Sequence, residues 1–413
     1  MANRSAILSH LAVFCLITFA SAPFTSQVQG EALQDLDRPL VIGYFGHDGL
    51  YNAPYFLRDL VRNGGADLLD QMNYSHASVT AGRCSILDAR ADLETAYSQE
   101  NSVNGRADDP TSSFRGYLHQ LKLLKMLHPN LKVLISLEGA AADFRYDSQP
   151  AQRAGFVSSC VDMFLKGRFS ETIVEPGIFD GIDVDWEYPE REDADNFLAL
   201  LKEFREQMER ARRGALLTIA VGDSPKMHPG TDFRSVSEVV DQVGVMNYDY
   251  TGPWNSVTGI LAPLFRLPNA PNYYGSVAES LAAYEDEGVP TEKLLMGLPF
   301  YGYHWSEVDP ANHGLHQTGH GVTQDLPYRM IQTFAARYSV YRDPRTRSPW
   351  LFDGADFWTF DDPVSIAYKT SFAADRGLGG VMIWELDQDT SEATLLNTVW
   401  RSLREPFEVP LGD

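Results

Sequence analysis

Phe179-Asp-Gly-Ile-Asp-Val-Asp-Trp-Glu-Tyr-Pro189 is the stretch on which the fold of this chain turns, and it carries four acids: Asp180, Asp183, Asp185 and Glu187. Side chains alternate between the two faces of a strand. As a strand, the stretch puts Ile182, Val184 and Trp186 on one face and Asp183, Asp185 and Glu187 on the other. Successive carboxylates then stand roughly 7 Å apart, the length of two strand rises. Like charges so close in a sheltered place cannot all ionise cheaply, so at least one keeps its proton near neutral pH. A proton held in that way is available to a leaving group.

Outward from this stretch, short apolar runs alternate with segments of helical period. Before it, strands are expected at Leu40 to Tyr44, Leu68 to Ala77 and Lys132 to Ser136, and helices near Tyr55 to Asn63, Phe114 to His128 and Ala151 to Lys166. Tyr117, Leu118, Leu121, Leu124 and Leu127 give the second of these helices its apolar face, and Pro129 closes it. After it come helices at Asp193 to Arg213, Ser276 to Glu287, Val364 to Arg376 and Ala393 to Leu403, with strands at Leu216 to Val221, Val243 to Asn247, Leu294 to Leu298 and Gly379 to Trp384. Eight strands alternating with helices indicate a parallel α/β fold, and a closed (β/α)8 TIM barrel is favoured over an open sheet. The rhythm breaks between Tyr303 and Trp358, where a small α+β insertion between strands seven and eight is expected, so residues 31–413 read as one barrel with a lobe at about 303–358.

Active sites of such barrels collect at the C-terminal ends of the strands. A row of acids on a solvated strand face is common where an antiparallel sheet meets water. In a parallel barrel strand, whose two faces meet helices and a packed lumen, the same row is costly and calls for a function. Two further strand ends carry chemistry. Met246-Asn-Tyr-Asp-Tyr250-Thr-Gly-Pro-Trp254 points Tyr248 and Asp249 to the mouth with Trp254 on the loop above, and Trp384-Glu-Leu-Asp-Gln-Asp389 offers an indole that can floor a sugar site.

The chain has 413 residues, 44% hydrophobic, with a formal net charge of −22. That balance disfavours nucleic acid and anionic membrane surfaces and leaves neutral or cationic polymers as partners. In the first thirty residues Arg4 is the one charge and Leu11 to Phe19 is a short apolar run, the form of a secretory signal. The run is too short to span a membrane, and Val28-Gln-Gly30 is the preferred cleavage end, because Pro23 disfavours Ala20-Ser-Ala22. A secreted, extracellular chain is therefore expected, its oligomeric state open with a monomer favoured. Cys84 and Cys160 remain in the mature chain, either as a disulfide or as two buried thiols, and their spacing gives no zinc pattern.

Together these segments resemble glycoside hydrolase family 18, the chitinases and related N-acetylglucosaminidases. The family pattern D-x-x-D-x-D-x-E is complete from Asp180 to Glu187 and is followed by Tyr188-Pro189. Met246, Tyr248 and Asp249 match its M-x-Y-D, Gly297 to Gly302 its seventh-strand segment, Phe357 to Pro363 and Gly377 to Asp389 its end, Gly43-Tyr44 its first strand, and Ser136 the opening of S-x-G-G. The resemblance implies a retaining, substrate-assisted hydrolysis of β-1,4-linked N-acetylglucosamine polymers, without metal or cofactor. In such a reaction the substrate's 2-acetamido group replaces an enzyme nucleophile. It implies Glu187 as acid and then base, Asp185 as partner of the acetamido N–H, Asp183 sharing a proton with Asp185, and Asp180 supporting the row from below. Tyr44 and Ser136 would stabilise the charged carboxylate. Tyr248, Asp249 and Met246 would hold the acetyl group and the distorted sugar, Trp384 would lie beneath the ring, and Trp254 would stack on the leaving-group side.

This chain departs from the pattern at four places. Glu138 stands where Gly is usual, Ala140 where many members have Trp, Tyr303 where Arg often follows, and His76 where an aromatic is usual. They bear on which glycan is recognised. Alternatives are an endo-N-acetylglucosaminidase acting on glycoprotein or peptidoglycan glycans, and a non-catalytic chitin-binding lectin, which the retained Glu187 disfavours. A divalent-cation hydrolase is disfavoured because no His accompanies the acids. Asn73-Tyr-Ser75 is a glycosylation sequon whose predicted strand argues against modification.

Overall fold

The computed structural model describes residues 38–51, 55–267, 270–271 and 275–405, so the expected signal segment lies outside the described residues. The strands in chain order are β1 (Leu40–Gly46), β2 (Gln71–Thr80), β3 (Arg83–Ile86), β4 (Lys132–Glu138), β5 (Gly181–Asp185), β6 (Leu216–Val221), β7 (Gln242–Val245) and β8 (Leu294–Pro299). They continue as β9 (Tyr301–Ser306), β10 (His320–Pro327), β11 (Ser339–Arg342), β12 (Pro349–Phe352), β13 (Phe357–Phe360) and β14 (Gly380–Trp384). Strands β1, β2, β4, β5, β6, β7, β8 and β14 pair in that order, all in parallel, and β14 returns to β1. This is a closed (β/α)8 barrel. Strand β3 folds back antiparallel on the end of β2, a hairpin in a stretch where no strand is expected from the sequence.

The helices form because their apolar residues recur at helical spacing. In the helix Ala194–Ala211, Phe197, Leu200, Leu201, Phe204 and Met208 are all buried. In Gly116–Leu127, Tyr117, Leu118, Leu121 and Leu124 are buried, whereas Leu127 at the frayed end is exposed. The helix Pro363–Arg376 begins with Pro363 in its first turn and Asp362 as cap, whose carboxylate accepts from the Val364 and Ser365 N–H groups. Two short helices, Ala141–Asp147 and Phe233–Val239, fall between expected elements.

The outward face of β5 behaves as its alternation requires. Trp186, just past the strand, stacks on Phe144 at 5.4 Å and meets Phe197 edge-on at 5.8 Å, so the strand is anchored to the helical layer. Its inward face looks into a polar lumen. There Gln71 and Gln242 exchange amide hydrogen bonds at 3.3 Å, and Gln71 also donates to Asn73 at 2.8 Å. Buried amides are satisfied in this way below the acid row. Asn73 is 3% exposed inside this layer, which closes the sequon to modification.

Between β8 and β14, strands β9 to β13 form an antiparallel sheet in the order β10-β9-β13-β12-β11, with the helix Tyr328–Phe334 following β10. Its apolar side gathers Trp305, Trp350, Phe352 and Phe357. Because β9 follows β8 after one residue, Tyr301 and Tyr303 are carried to the barrel mouth. On the other side, Cys84 of β3 and Cys160 of the helix Arg153–Cys160 are joined by a disulfide, with 4.9 Å between Cα atoms.

Candidate active site

A cavity of about 340 Å³ opens at the C-terminal ends of the barrel strands. Strand β5 brings Asp185 to its wall with Asp183 buried beneath, and Glu187 lies two residues beyond the strand on the rim. The three acids occupy different environments. Asp183 is fully buried and is gripped by hydroxyls from three other strands. Tyr44 of β1 and Ser136 of β4 donate to its Oδ2 at 2.8 and 2.9 Å, and Thr218 of β6 donates to its Oδ1 at 2.5 Å. Burial raises the Asp183 carboxyl above the ordinary aspartate range, while the three hydroxyls act in the opposite direction.

Asp185 is also buried, at 6% exposure, but its Oδ1 has no hydrogen-bond partner. Burial first, then the charges of Glu187, Asp183 and Glu138, push its carboxyl well above the usual value. Glu187 is open to solvent at the mouth, yet its carboxyl lines the cavity, where burial raises it, opposed by the Tyr188 hydrogen bond and assisted by the nearby Glu138 charge. The row therefore holds a hydroxyl-bound carboxyl at its base, an unpartnered oxygen in the middle and a raised, accessible acid at the end. Asp185 and Glu187, close together and both raised, titrate together.

The far wall comes from β7 and β9. Tyr248 and Met246 line the cavity, and Tyr248 meets Tyr301 edge-on at 6.0 Å. Asp249 adopts a left-handed φ of 62°, a conformation that a short polar side chain tolerates better than most, and the Tyr301 hydroxyl donates to its Oδ1 at 2.6 Å. Burial raises the Asp249 carboxyl despite hydrogen bonds from Tyr301 and Tyr303. Trp384 at the end of β14 lies 5.5 Å from the Tyr44 ring and supplies the floor.

Four of the expected residues do not line the cavity: Asp183 and Ser136 meet beneath it, and Asp180 and Trp254 lie further off. Asp180 precedes β5 at the opposite end of the strand and does not line the cavity. Its carboxylate pairs with Lys125 and Arg212, each at 2.5 Å, and accepts from the Val133 N–H at 2.9 Å. It pins the entry of β5 between two neighbouring elements and makes no direct contribution to the site. Trp254 is 61% exposed and sits outside the cavity wall, edge-on to Tyr303 at 5.4 Å, a position that extends the mouth.

Other groups reach the site without having been expected there. Thr218 is the one polar residue of the Leu216–Val221 run, and its register opposite Asp183 was the signal available. Asp223, Tyr188, Tyr301 and Asp325 line the cavity, as do His76 and Glu138 from β2 and β4. The His76 Nδ1 and a Glu138 carboxylate oxygen are 2.9 Å apart.

The family model described as Glycosyl hydrolases family 18 matches residues 40–389. Chitinase C of Streptomyces lividans is 30% identical over 391 residues, covering 89% of this chain and 60% of that protein. The chain thus spans about three fifths of the length of the first curated relatives it matches. Among solved structures, the catalytic domain of psychrophilic chitinase B from Arthrobacter TAD20 superposes with a TM-score of 0.82 at 28% identity, covering 89% of this chain and 95% of that one. A Group IV chitinase of Ostrinia furnacalis, solved in complex with allosamidin, gives 0.73 at 27% identity, covering 87% and 97%. The barrel, the unbroken acid pattern from Asp180 to Glu187 and the extent of the family match place this chain in glycosyl hydrolases family 18.

Proposed function

We propose that the protein is a secreted chitinase that hydrolyses β-1,4-linked N-acetylglucosamine polymers with retention of configuration, using the substrate's own acetamido group. The unpartnered Oδ1 of Asp185, between the saturated Asp183 and the accessible Glu187, is the observation that carries this reading. A buried acceptor without a donor is costly, and an acetamido N–H over the Trp384 floor is a donor of the right kind. The names of the relatives and the solved chitinase structures support the same substrate class.

In the first step Glu187 gives its proton to the glycosidic oxygen as that bond breaks. The acetamido carbonyl oxygen bonds to the anomeric carbon, and the resulting oxazolinium cation is balanced by Asp185, which accepts from the N–H. Asp183 takes up the proton shared with Asp185, and the hydroxyls of Tyr44, Ser136 and Thr218 adjust to its charge. In the second step Glu187, now ionised, removes a proton from water while the water oxygen bonds to the anomeric carbon and the bond from that carbon to the acetamido oxygen breaks; the shared proton returns from Asp183 to Asp185, which restores the starting state. Tyr248 and Asp249 line the wall against which the acetyl group would rest. The Cys84–Cys160 disulfide supports an oxidising, extracellular compartment.

The test is a product profile of wild type and Glu187→Gln on chitin oligomers, a glycoprotein glycan and peptidoglycan. Cleavage of chitin oligomers that Glu187→Gln loses is the expected result; cleavage confined to the other glycans would favour an endo-N-acetylglucosaminidase, and retention of chitin without cleavage would favour a lectin.

A further inference from the structure

Two of the departures from the family pattern meet in space. His76 and Glu138 come from neighbouring strands β2 and β4, and the His76 Nδ1 lies 2.9 Å from the Glu138 carboxylate. The imidazole also stacks on the Trp384 floor, 5.7 Å between centroids and 18° from parallel, while its Nε2 is buried without a partner. Glu138 is thereby held beside the floor of the site, yet its side chain is 55% exposed and faces the cavity. In the barrel ring β2 stands across from β7 and β4 across from β8, so this pair lies on the half of the mouth that faces the loop bearing Trp254.

The charge of the cavity is one-sided. Glu138, Asp185, Glu187, Asp223, Asp249 and Asp325 line it, and none of the described residues lining it is Lys or Arg. Burial raises the carboxyls of Asp185, Glu187, Asp223 and Asp249. Glu138 moves the other way, held below the ordinary glutamate value by its His76 hydrogen bond. It is a carboxylate that keeps its charge at a sugar-binding wall. A fully acetylated chain brings no cation to it, whereas a glucosamine unit without its acetyl group carries a primary ammonium, the natural complement of such a carboxylate.

We propose that Glu138, held by His76, binds the free C2 ammonium of a deacetylated glucosamine unit adjacent to the acetylated sugar over Trp384, so that partly deacetylated chitin is a preferred substrate of this site. The unit cleaved must keep its acetyl group to assist the reaction, so the preference concerns its neighbour on the side away from Trp254. This inference rests on the hydrolase reading above.

The test compares fully acetylated chitin oligomers with partly deacetylated ones of equal length, and sequences the products by mass spectrometry. Wild type should release products in which glucosamine precedes the new reducing-end N-acetylglucosamine more often than composition predicts. In Glu138→Gln, which keeps the size and the hydrogen-bonding oxygen, the ratio of kcat/KM for the partly deacetylated over the fully acetylated oligomers should fall roughly five- to tenfold. An equal loss on both substrates, or products with no bias at that position, would overturn the proposal while leaving the hydrolase reading intact. No hydrolysis of either substrate by wild type would remove both. Should Glu138→Gln fail to fold, the wild-type product sequences decide the matter.

Discussion

The Tyr44 hydroxyl donates to Oδ2 of Asp183 at 2.8 Å, from a strand 139 residues away in sequence. That bond stabilises the ionised form of a carboxyl buried at the base of the acid row. Tyr44→Phe should therefore raise the Asp183 carboxyl further, so that it keeps the proton shared with Asp185 and no longer returns it within the cycle. A fall in kcat of about tenfold or more, with a smaller change in KM, is expected for loss of a hydrogen bond to a charged group. Steady-state kinetics on a chromogenic chitobioside measures it, and an effect confined to KM would place Tyr44 in ground-state binding instead.

The pH dependence follows from the direction of the Glu187 shift. In its proposed role of general acid Glu187 must hold its proton, so kcat/KM should persist below the raised Glu187 value and fall as pH climbs through it. The Glu138 charge is one of the causes that raise Glu187, after burial. Glu138→Gln should consequently move the alkaline limb of the kcat/KM profile to lower pH. A limb that stays fixed or moves upward would mean that Glu138 does not act on the catalytic acid.

Away from the site, Asp92 is buried and receives a hydrogen bond from the Tyr74 hydroxyl. Burial pushes its carboxyl up to about 7. The folded chain thus keeps a proton that the unfolded chain releases near the ordinary aspartate value. This contribution to stability is present in full below the unfolded value and is lost as pH rises through the folded one. The loss has a slope of at most ~1.4 kcal/mol per pH unit. Urea denaturation of wild type and Asp92→Asn between these limits should show the wild type losing stability relative to the variant as pH rises; a constant difference would contradict the assignment.

The Cys84–Cys160 bridge spans 76 residues and ties the β2–β3 hairpin to the helix Arg153–Cys160. Replacing both cysteines by serine should cost roughly 2–4 kcal/mol of stability, read as a lower urea midpoint. Reducing agent should lower the midpoint of wild type and leave the variant unmoved.

The barrel was legible because its strands are apolar runs bounded by helices of clear period. Leu216–Val221 was read to its ends, and the acid row was read in the correct orientation. Asp185, Glu187, Tyr44, Tyr248, Asp249 and Trp384 all line the cavity, with Asp183 and Ser136 paired beneath it, because alternation and the position of strand ends fix where such residues point. Asp180 lies just before the strand begins, below the row as the pattern implied, where Lys125 and Arg212 take its charge. The pairing of His76 with Glu138 was beyond reach for a different reason. Each residue looked like an isolated departure, and only the parallel register of β2 and β4 brings them together. Tyr301 and Tyr303 depend likewise on how closely β9 follows β8, which local pattern does not convey.

In the proposed mechanism Asp185 and the substrate's acetamido group together do the work of an enzyme nucleophile. Proton NMR of the first product released from a β-linked N-acetylglucosamine oligomer reads this out before mutarotation. The account predicts the β-anomer as the initial product; initial release of the α-anomer would contradict it.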